Sequence, residues 1–326
     1  MLIFAIAPAF YATQVDIFGP FKCYSPANKR ATLKCWFLIF CCCTTSAVSI
    51  HVMEDYSTDA FVLGFIRFSC RVGYPRYLLP DAGSQLIKGC NDMSYSYTDC
   101  KQILHKIAGV DYKPCPVGSH YVHGRVERKI KDVKKSVQIS VENQRLSVVQ
   151  WETLMAQIAN SANNMPIGTK TSSWPENLDL VTPNRLILGR NNDRCPNEPL
   201  SICPDHKRMI KSNADIFRAW FTTWLVSYVP SLVERPKWHT DKGEIHVGDI
   251  VLFLKSDKEF DLQYQYGKVT VVHKGKDGRI RRALVEYQNH NEDTKRSTER
   301  GVRELVVIHP IDELDIYTQL NELHEH

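Results

Sequence analysis

At 326 residues the chain is too long for one small domain and has length for about two, each able to bury a core of its own. Apolar residues make up 43% and charged residues 24%, which excludes a disordered, collagen-like or membrane-dominated polypeptide. The net charge of +5 is too small an excess to identify a polyanion binder, so the placement of charge has to decide.

The 11 cysteines are odd in number and scattered through apolar stretches, unlike a spaced disulfide framework, and read as free thiols in a reducing compartment. The opening Met1 to Phe10 is apolar but lacks a basic leader and a small-residue cleavage site, so no secretory signal is expected. The apolar run Cys35 to Cys43 is about half of the roughly 18 residues that cross a bilayer, and reads as a buried central strand.

In chain order, three β-type segments come first: Tyr11 to Tyr24, Lys29 to Cys43 and Ala47 to Asp55. A helix capped by Ser57, Thr58 or Asp59 follows to Arg71, with Phe61, Phe65 and Phe68 at helical spacing and Gly73 as its stop. A strand leads to Asp81. After a loosely structured helix and loop region, Val110 to Val117 makes a short extended segment. A long basic helix is then expected over Gly124 to Asn143, with Val126, Ile130, Val133 and Val137 forming the stripe that packs on a sheet. A second helix runs from its cap Ser147 to Asn164.

Residues 167–205, rich in Pro, Asn and Thr, read as a linker that wraps or connects. An aromatic helix follows over Asp205 to Val229, with Trp220 and Trp224 as core residues. The strands Ile250 to Leu254, Gly267 to His273 and Arg279 to Tyr287, joined by tight turns, suggest a small barrel. The predicted class is α/β, a mixed five-stranded sheet with flanking helices, a helical linker and a small β-barrel-like C-terminal domain. The boundaries are residues 1–167, 168–240 and 241–326.

Three carboxylates stand out by context: Asp16 inside a strand, Asp81 directly after a strand, and Glu127 in the first turn of the basic helix. A carboxylate in an apolar strand is costly unless compensated, and Mg²⁺ compensates well because it takes hard oxygen ligands. Two such ions about 4 Å apart can activate an attacking oxygen and stabilise a leaving oxygen in phosphoryl displacement.

The segments Gln14-Val15-Asp16-Ile17-Phe18-Gly19-Pro20, Asp81-Ala82-Gly83-Ser84-Gln85 and His120-Tyr121-Val122-His123-Gly124-Arg125-Val126-Glu127-Arg128 resemble the Asp, Asp, Glu motifs of retroviral and retrotransposon integrase cores. The tail from Thr182 to Arg190, the Trp220 to Trp238 stretch and Gly248-Asp249-Ile250-Val251 look like the domain that follows integrase in Bel/Pao-type retrotransposons. The resemblance implies a ribonuclease H-like sheet with Asp16 on the first strand, Asp81 after the fourth and Glu127 on the helix that crosses it. It further implies two Mg²⁺ or Mn²⁺ ions held by those three acids, 3′-end processing and strand transfer on DNA, a homo-oligomer, no membrane, and a nuclear site of action reached through the cytoplasm.

By the same resemblance Lys131 and Lys134 contact the DNA end, a solvated helix face being the other reading. Arg125, Arg128, Lys129 and Lys135 would add phosphate-positioning charge. Gly83 and Ser84 sit where a small residue lets backbone approach a phosphate, or where an ordinary helix entry would put them. Cys195, Cys203 and His206 are an incomplete set for zinc.

Two departures matter. The interval from Asp81 to Glu127 is longer than in retroviral integrases, and Asp16 is too near Met1 for the zinc-binding domain that precedes the core in that family. The alternative function is therefore a catalytically impaired, truncated or domesticated nucleic-acid-binding protein. A ribonuclease H acting on hybrids would share the metal chemistry but not the tail. Lys268, Lys274, Lys276, Arg279, Arg281 and Arg282 give that tail a basic surface for DNA backbone, with a protein-contact role open because acidic residues are almost as frequent there.

Overall fold

The computed structural model describes residues 7–25, 28–80, 86, 95–114, 120–141, 144–169, 180–192, 204–233, 245–256, 262–276, 278–289 and 294–308, without the side chains of 28–29, 120–127 and 204–210. The chain divides into two units, residues 1–165 with 183–220, and residues 166–182 with 221–326.

The first unit is a mixed α/β layer. Strands β1 (Ala12–Ser25), β2 (Asn28–Cys42) and β3 (Val48–Met53) form an antiparallel meander, and β4 (Tyr77–Pro80) and β5 (Asp111–Tyr112) join in parallel to give the order β3-β2-β1-β4-β5. The sheet exceeds the expected five strands, because β6 (Leu146–Ser147) pairs with Cys23 and Tyr24. The cause is the length of β1, which runs on past its last partner in β4 and leaves backbone groups for a further short strand. A register shift between Phe18 and Phe21 bends β1 at Gly19, whose φ of +127° and close approach to Cys35 O, at 3.1 Å from where a Cβ would stand, suit glycine.

Helix α1 (Thr58–Val72) forms as its sequence demands. The side chain of Ser57 accepts from Ala60 N at 3.1 Å, Phe61, Phe65 and Phe68 are fully buried, and Gly73 closes the helix. The helix expected before Val110 is a regular one, α2 (Tyr97–Ala108), capped by Ser96 and ended by Gly109. Together with Phe10, Leu38, Phe40, Tyr95 and Tyr112, the α1 phenylalanines fill one core under the sheet. The apolar run of β2 is buried as predicted, with Cys35 and Phe37 through Cys42 at 0% exposure.

Helix α3 (His120–Val141) starts a turn earlier than the expected Gly124. Gly124 costs a helix interior only about 1 kcal/mol, which a helix of 22 residues absorbs. Glu127 therefore stands inside the helix rather than in its first turn. Ile130, Val133, Val137 and Val141 are buried. Helix α4 (Val148–Asn163) opens with a capping box in which Ser147 and Gln150 satisfy each other's backbone. Trp151 of α4 is fully buried against Phe21 and Phe37, and its Nε1–H donates to Lys22 O at 3.2 Å.

The edge strand β3 is held by side chains. Val48 N donates to Asn163 Oδ1 at 2.7 Å, Asn163 Nδ2 donates to Val48 O at 2.8 Å, and Arg67 Nη2 donates to Val52 O at 2.6 Å.

His51 on β3 is 3% exposed, lies 2.9 Å through Nε2 from Ser49 Oγ, and meets Phe40 and Phe68 edge-on. Burial, then the charges of Arg71 and Arg67, push its pKa down from 6.5 to about 3. Between those values the unfolded chain binds a proton that the folded chain refuses, so this contribution is complete above 6.5 and is lost as pH falls toward 3. Acid melts should show His51→Phe losing roughly 3 kcal/mol less stability than the parent between pH 7 and pH 4. Parallel acid limbs for the two proteins would refute the assignment.

The stretch expected to wrap or connect contains β7 (Gly168–Thr169), β8 (Leu180–Val181) and helix α5 (Pro183–Leu188). Four asparagines clip it to α4. Asn184 Nδ2 donates to Asn160 Oδ1 at 2.9 Å and Asn164 Oδ1 at 2.7 Å, and Asn192 Nδ2 donates to Asn160 Oδ1 at 2.8 Å.

Helix α6 (Pro204–Leu232) contributes to both units, with Trp220 in the first and Trp224 in the second, both at 0% exposure as expected of core aromatics. In the second unit β9 (Ile250–Lys255), β10 (Gln263–Lys274), β11 (Ile280–Gln288), β12 (Lys295–Gly301) and β13 (Val306–Val307) form a five-stranded antiparallel sheet in the order β12-β11-β10-β9-β13. Its core is Ile245, Val251, Phe253, Val269, Ala283, Val285, Tyr287 and Leu305. Gly267 is required there, since a Cβ would collide with Val285 Cγ1 and stand 2.6 Å from Glu286 O. Among the described residues, no helix is long and apolar enough to cross a membrane.

Candidate functional site

Asp16 lies midway along β1, where alternation places Val15 in the core and leaves the carboxylate at 25% exposure. Its Oδ1 accepts the N–H of Ile17 at 2.8 Å. Its Oδ2 accepts from Lys134 Nζ of α3 at 2.6 Å, and the same ammonium lies 3.4 Å from Ile17 O and 6.0 Å from the Phe18 ring centroid. The first strand and the basic helix are thus joined through charge at the residue singled out from the sequence.

The parallel pairing of β1 with β4 ends with Val15 opposite Pro80. The residue before Asp16 therefore faces the residue before Asp81. Asp81, Gly83 and Ser84 lie outside the described residues, as does the side chain of Glu127, whose backbone is in α3 two turns ahead of Lys134. Cys195 and Cys203 are outside them as well, and nothing is described of the His206 side chain. Among the described residues there is no group of three or more His, Cys, Asp or Glu that could hold a metal ion. The donor chemistry that is described fits a hard cation at one point: Asp16, a partly buried oxygen ligand with Oδ1 already oriented by backbone.

Of the expected phosphate contacts, Arg128, Lys131 and Lys135 are exposed on α3 and Lys134 is half-buried on Asp16. Asp132 sits among them, its carboxyl pushed up by burial and drawn back by Arg128, Lys131 and Lys135.

Lys129 is a correction. It is 1% exposed, and its Nζ donates to Ser46 O at 2.7 Å, so it is a peg between α3 and the turn after β2 rather than a phosphate contact. Burial pushes its pKa down to about 8, against the pull of the neighbouring Cys41 and Cys42. The signal was present in the spacing, because Lys129 stands four residues before Val133 and eight before Val137, on the buried stripe.

In the C-terminal sheet Arg279, Arg281 and Lys276 are exposed, while Arg282 pairs with Glu299 at 3.6 Å. Lys295 and Arg300 likewise face Glu286 at 3.4 Å and Glu304 at 3.9 Å. Of the residues expected to form the basic surface, Arg282 is thus balanced by an acid, and an exposed pair of this kind contributes at most about 1 kcal/mol.

Residues 208–308 match a family of unknown function (DUF5641). No curated protein matches the chain. Among solved structures, it is similar at 10% identity and a TM-score of 0.36 to a chain of the simian T-cell lymphotropic virus intasome in complex with PP2A regulatory subunit B56 gamma, over 92% of this chain and 79% of that one. It is similar at 15% identity and a TM-score of 0.30 to the HTLV-2 integrase catalytic core domain in complex with magnesium in its trimeric form, over 50% of this chain and 90% of that one. For the catalytic core domain of BIV integrase the figures are 15%, 0.33, 55% and 95%. Likenesses this loose carry no functional argument by themselves.

Proposed function

We propose that the chain is a retroelement integrase of the Asp-Asp-Glu type, with Asp16, Asp81 and Glu127 as its acids and a Bel/Pao-type retrotransposon as its source. The observation that carries this reading is the register of β1 against β4, Val15 opposite Pro80, in a sheet ordered β3-β2-β1-β4-β5 whose first strand is tied through Asp16 to the helix that holds Glu127.

In this reading the three acids hold two Mg²⁺ or Mn²⁺ ions, which supply activation of an attacking hydroxyl and stabilisation of a leaving oxygen. The chain's own contribution is orientation. Ile17 N–H fixes one oxygen of Asp16, so the carboxylate presents the other at constant direction. Arg128, Lys131 and Lys135 hold phosphates along α3 and give affinity without sequence information. Gly83 and Ser84 would contact the DNA backbone. The protein works on DNA ends as an oligomer in the nucleus, residues 1–167 forming the core, 168–240 the connection and 241–326 the accessory β-domain.

A second reading is favoured by the same ion pair, because an Asp16 already neutralised by Lys134 needs no metal. On it the chain is a DNA-binding protein that keeps the fold without the chemistry. Incubating the purified chain with Mn²⁺ or Mg²⁺ and a labelled duplex carrying element ends, beside Asp81→Asn, separates the two. Cleaved and joined products from the parent alone support the integrase. Silence from both proteins, with DNA still bound and a steep salt dependence, leaves the binding protein.

A further inference from the structure

The contact between Lys134 and Asp16 is a short, charge-assisted bond between two side chains that are each only 25% exposed. With Oδ1 engaged by Ile17 N–H, both oxygens of Asp16 have a donor, one from backbone and one from a movable side chain. A divalent cation needs a lone pair of that carboxylate and would put two further positive charges beside the ammonium, so the two cations cannot share Asp16 at this distance without strong repulsion. Backbone N–H cannot leave. Lysine can, because its ammonium sits on a flexible four-carbon stem. One turn before it on α3 stands the exposed Lys131, and directly after it in the chain the exposed Lys135.

We infer that Lys134 is the resident counter-cation of Asp16, displaced when a divalent ion binds, so that metal loading and the release of Lys134 toward a nucleic-acid phosphate are one coupled event. The inference rests on the metal-dependent reading of the site and adds to it an order of events. Without metal, the acid is neutral in sum and one cation of the α3 row is withheld from DNA. With metal, that cation joins the row. Because coupling of this kind is reciprocal, DNA that takes up Lys134 also tightens metal binding.

Calorimetric titration of Mn²⁺ into the parent, Lys134→Met and Lys134→Arg tests it without any turnover. Methionine keeps a stem of similar length and removes the charge. Lys134→Met should bind Mn²⁺ about five- to tenfold more tightly than the parent, the scale of one partly exposed ion pair, while Lys134→Arg should stay within about twofold. Asp16→Asn should lose this binding, which locates the ion. Adding a short duplex should tighten Mn²⁺ binding to the parent more than to Lys134→Met. If Lys134→Met fails to fold, Lys134→Gln replaces it.

Equal or weaker Mn²⁺ binding by the uncharged variant beside a parent that does bind overturns the inference and leaves the metal site standing. Binding that survives Asp16→Asn also overturns it, since the ion is then elsewhere. No uptake by the parent or by any variant overturns both, and Asp16 with Lys134 is then a structural ion pair.

Discussion

Asp16→Asn should lower strand transfer by at least about 10³-fold, the rate equivalent of the several kcal/mol that a hard oxygen ligand supplies in a two-ion phosphoryl transfer. The substitution keeps the shape of the side chain and the acceptor for Ile17 N–H, and removes the charge that faces Lys134. Its effect on folding should be small, about 1 kcal/mol, because the pair it breaks is partly open to solvent. Gel assays of joined product together with a thermal melt measure both quantities. Activity within tenfold of the parent, in a protein that melts normally, would remove Asp16 from the chemistry and the metal reading with it.

Trp151→Ala should cost about 3 to 5 kcal/mol, the usual cost of emptying a large aromatic site. Trp151 is fully buried, and it joins α4 to the sheet through ring centroids 5.2 Å from Phe21 and 5.0 Å from Phe37. Its Nε1–H also satisfies Lys22 O at 3.2 Å, beside the stretch of β1 that pairs with β6. Trp151→Phe keeps most of the packing and should cost about 1 to 2 kcal/mol through the lost hydrogen bond and the smaller ring. Urea unfolding followed by circular dichroism ranks the three proteins, and the first unit is the one whose transition should move. If the alanine variant lost less than 1 kcal/mol, the role given to this contact would be wrong.

What the sequence reveals of this fold depends on whether the signal is local. Helix α1 was readable because Ser57, Phe61, Phe65, Phe68 and Gly73 lie within one element and each plays its usual part. The burial of β2 was readable from its unbroken apolar run. The start of α3 was not, because a glycine lowers helix propensity without setting a boundary, and His120 to Val122 carry no stop signal. The mixed strand order agrees with the arrangement the motifs imply, although no single strand specifies its neighbour.

At the candidate site, the sequence singles out Asp16 by its setting in a strand, and Lys134 by its likeness to lysines of the family it resembles. That the two touch is a tertiary fact with no trace in either segment. Lys129 misled because composition makes every lysine of a basic helix look solvent-facing, while its register with Val133 and Val137 put it inside. The clip formed by Asn160, Asn164, Asn184 and Asn192 was invisible for a simpler reason: amide pairing has no period, and its members belong to different elements.

The bonds that Asn163 and Arg67 make to β3 bear on how copies of this fold can meet. An outer strand with open N–H and C=O groups invites a strand from another chain to extend the sheet, a common route to both assembly and aggregation. Here Asn163 takes both backbone groups of Val48 at one end and Arg67 takes the carbonyl of Val52 toward the other. A visiting strand would have to break these bonds before it could align. Association on this side of the unit must then proceed through side-chain surfaces, whose composition can be varied, rather than through a continuous sheet, whose growth is hard to stop.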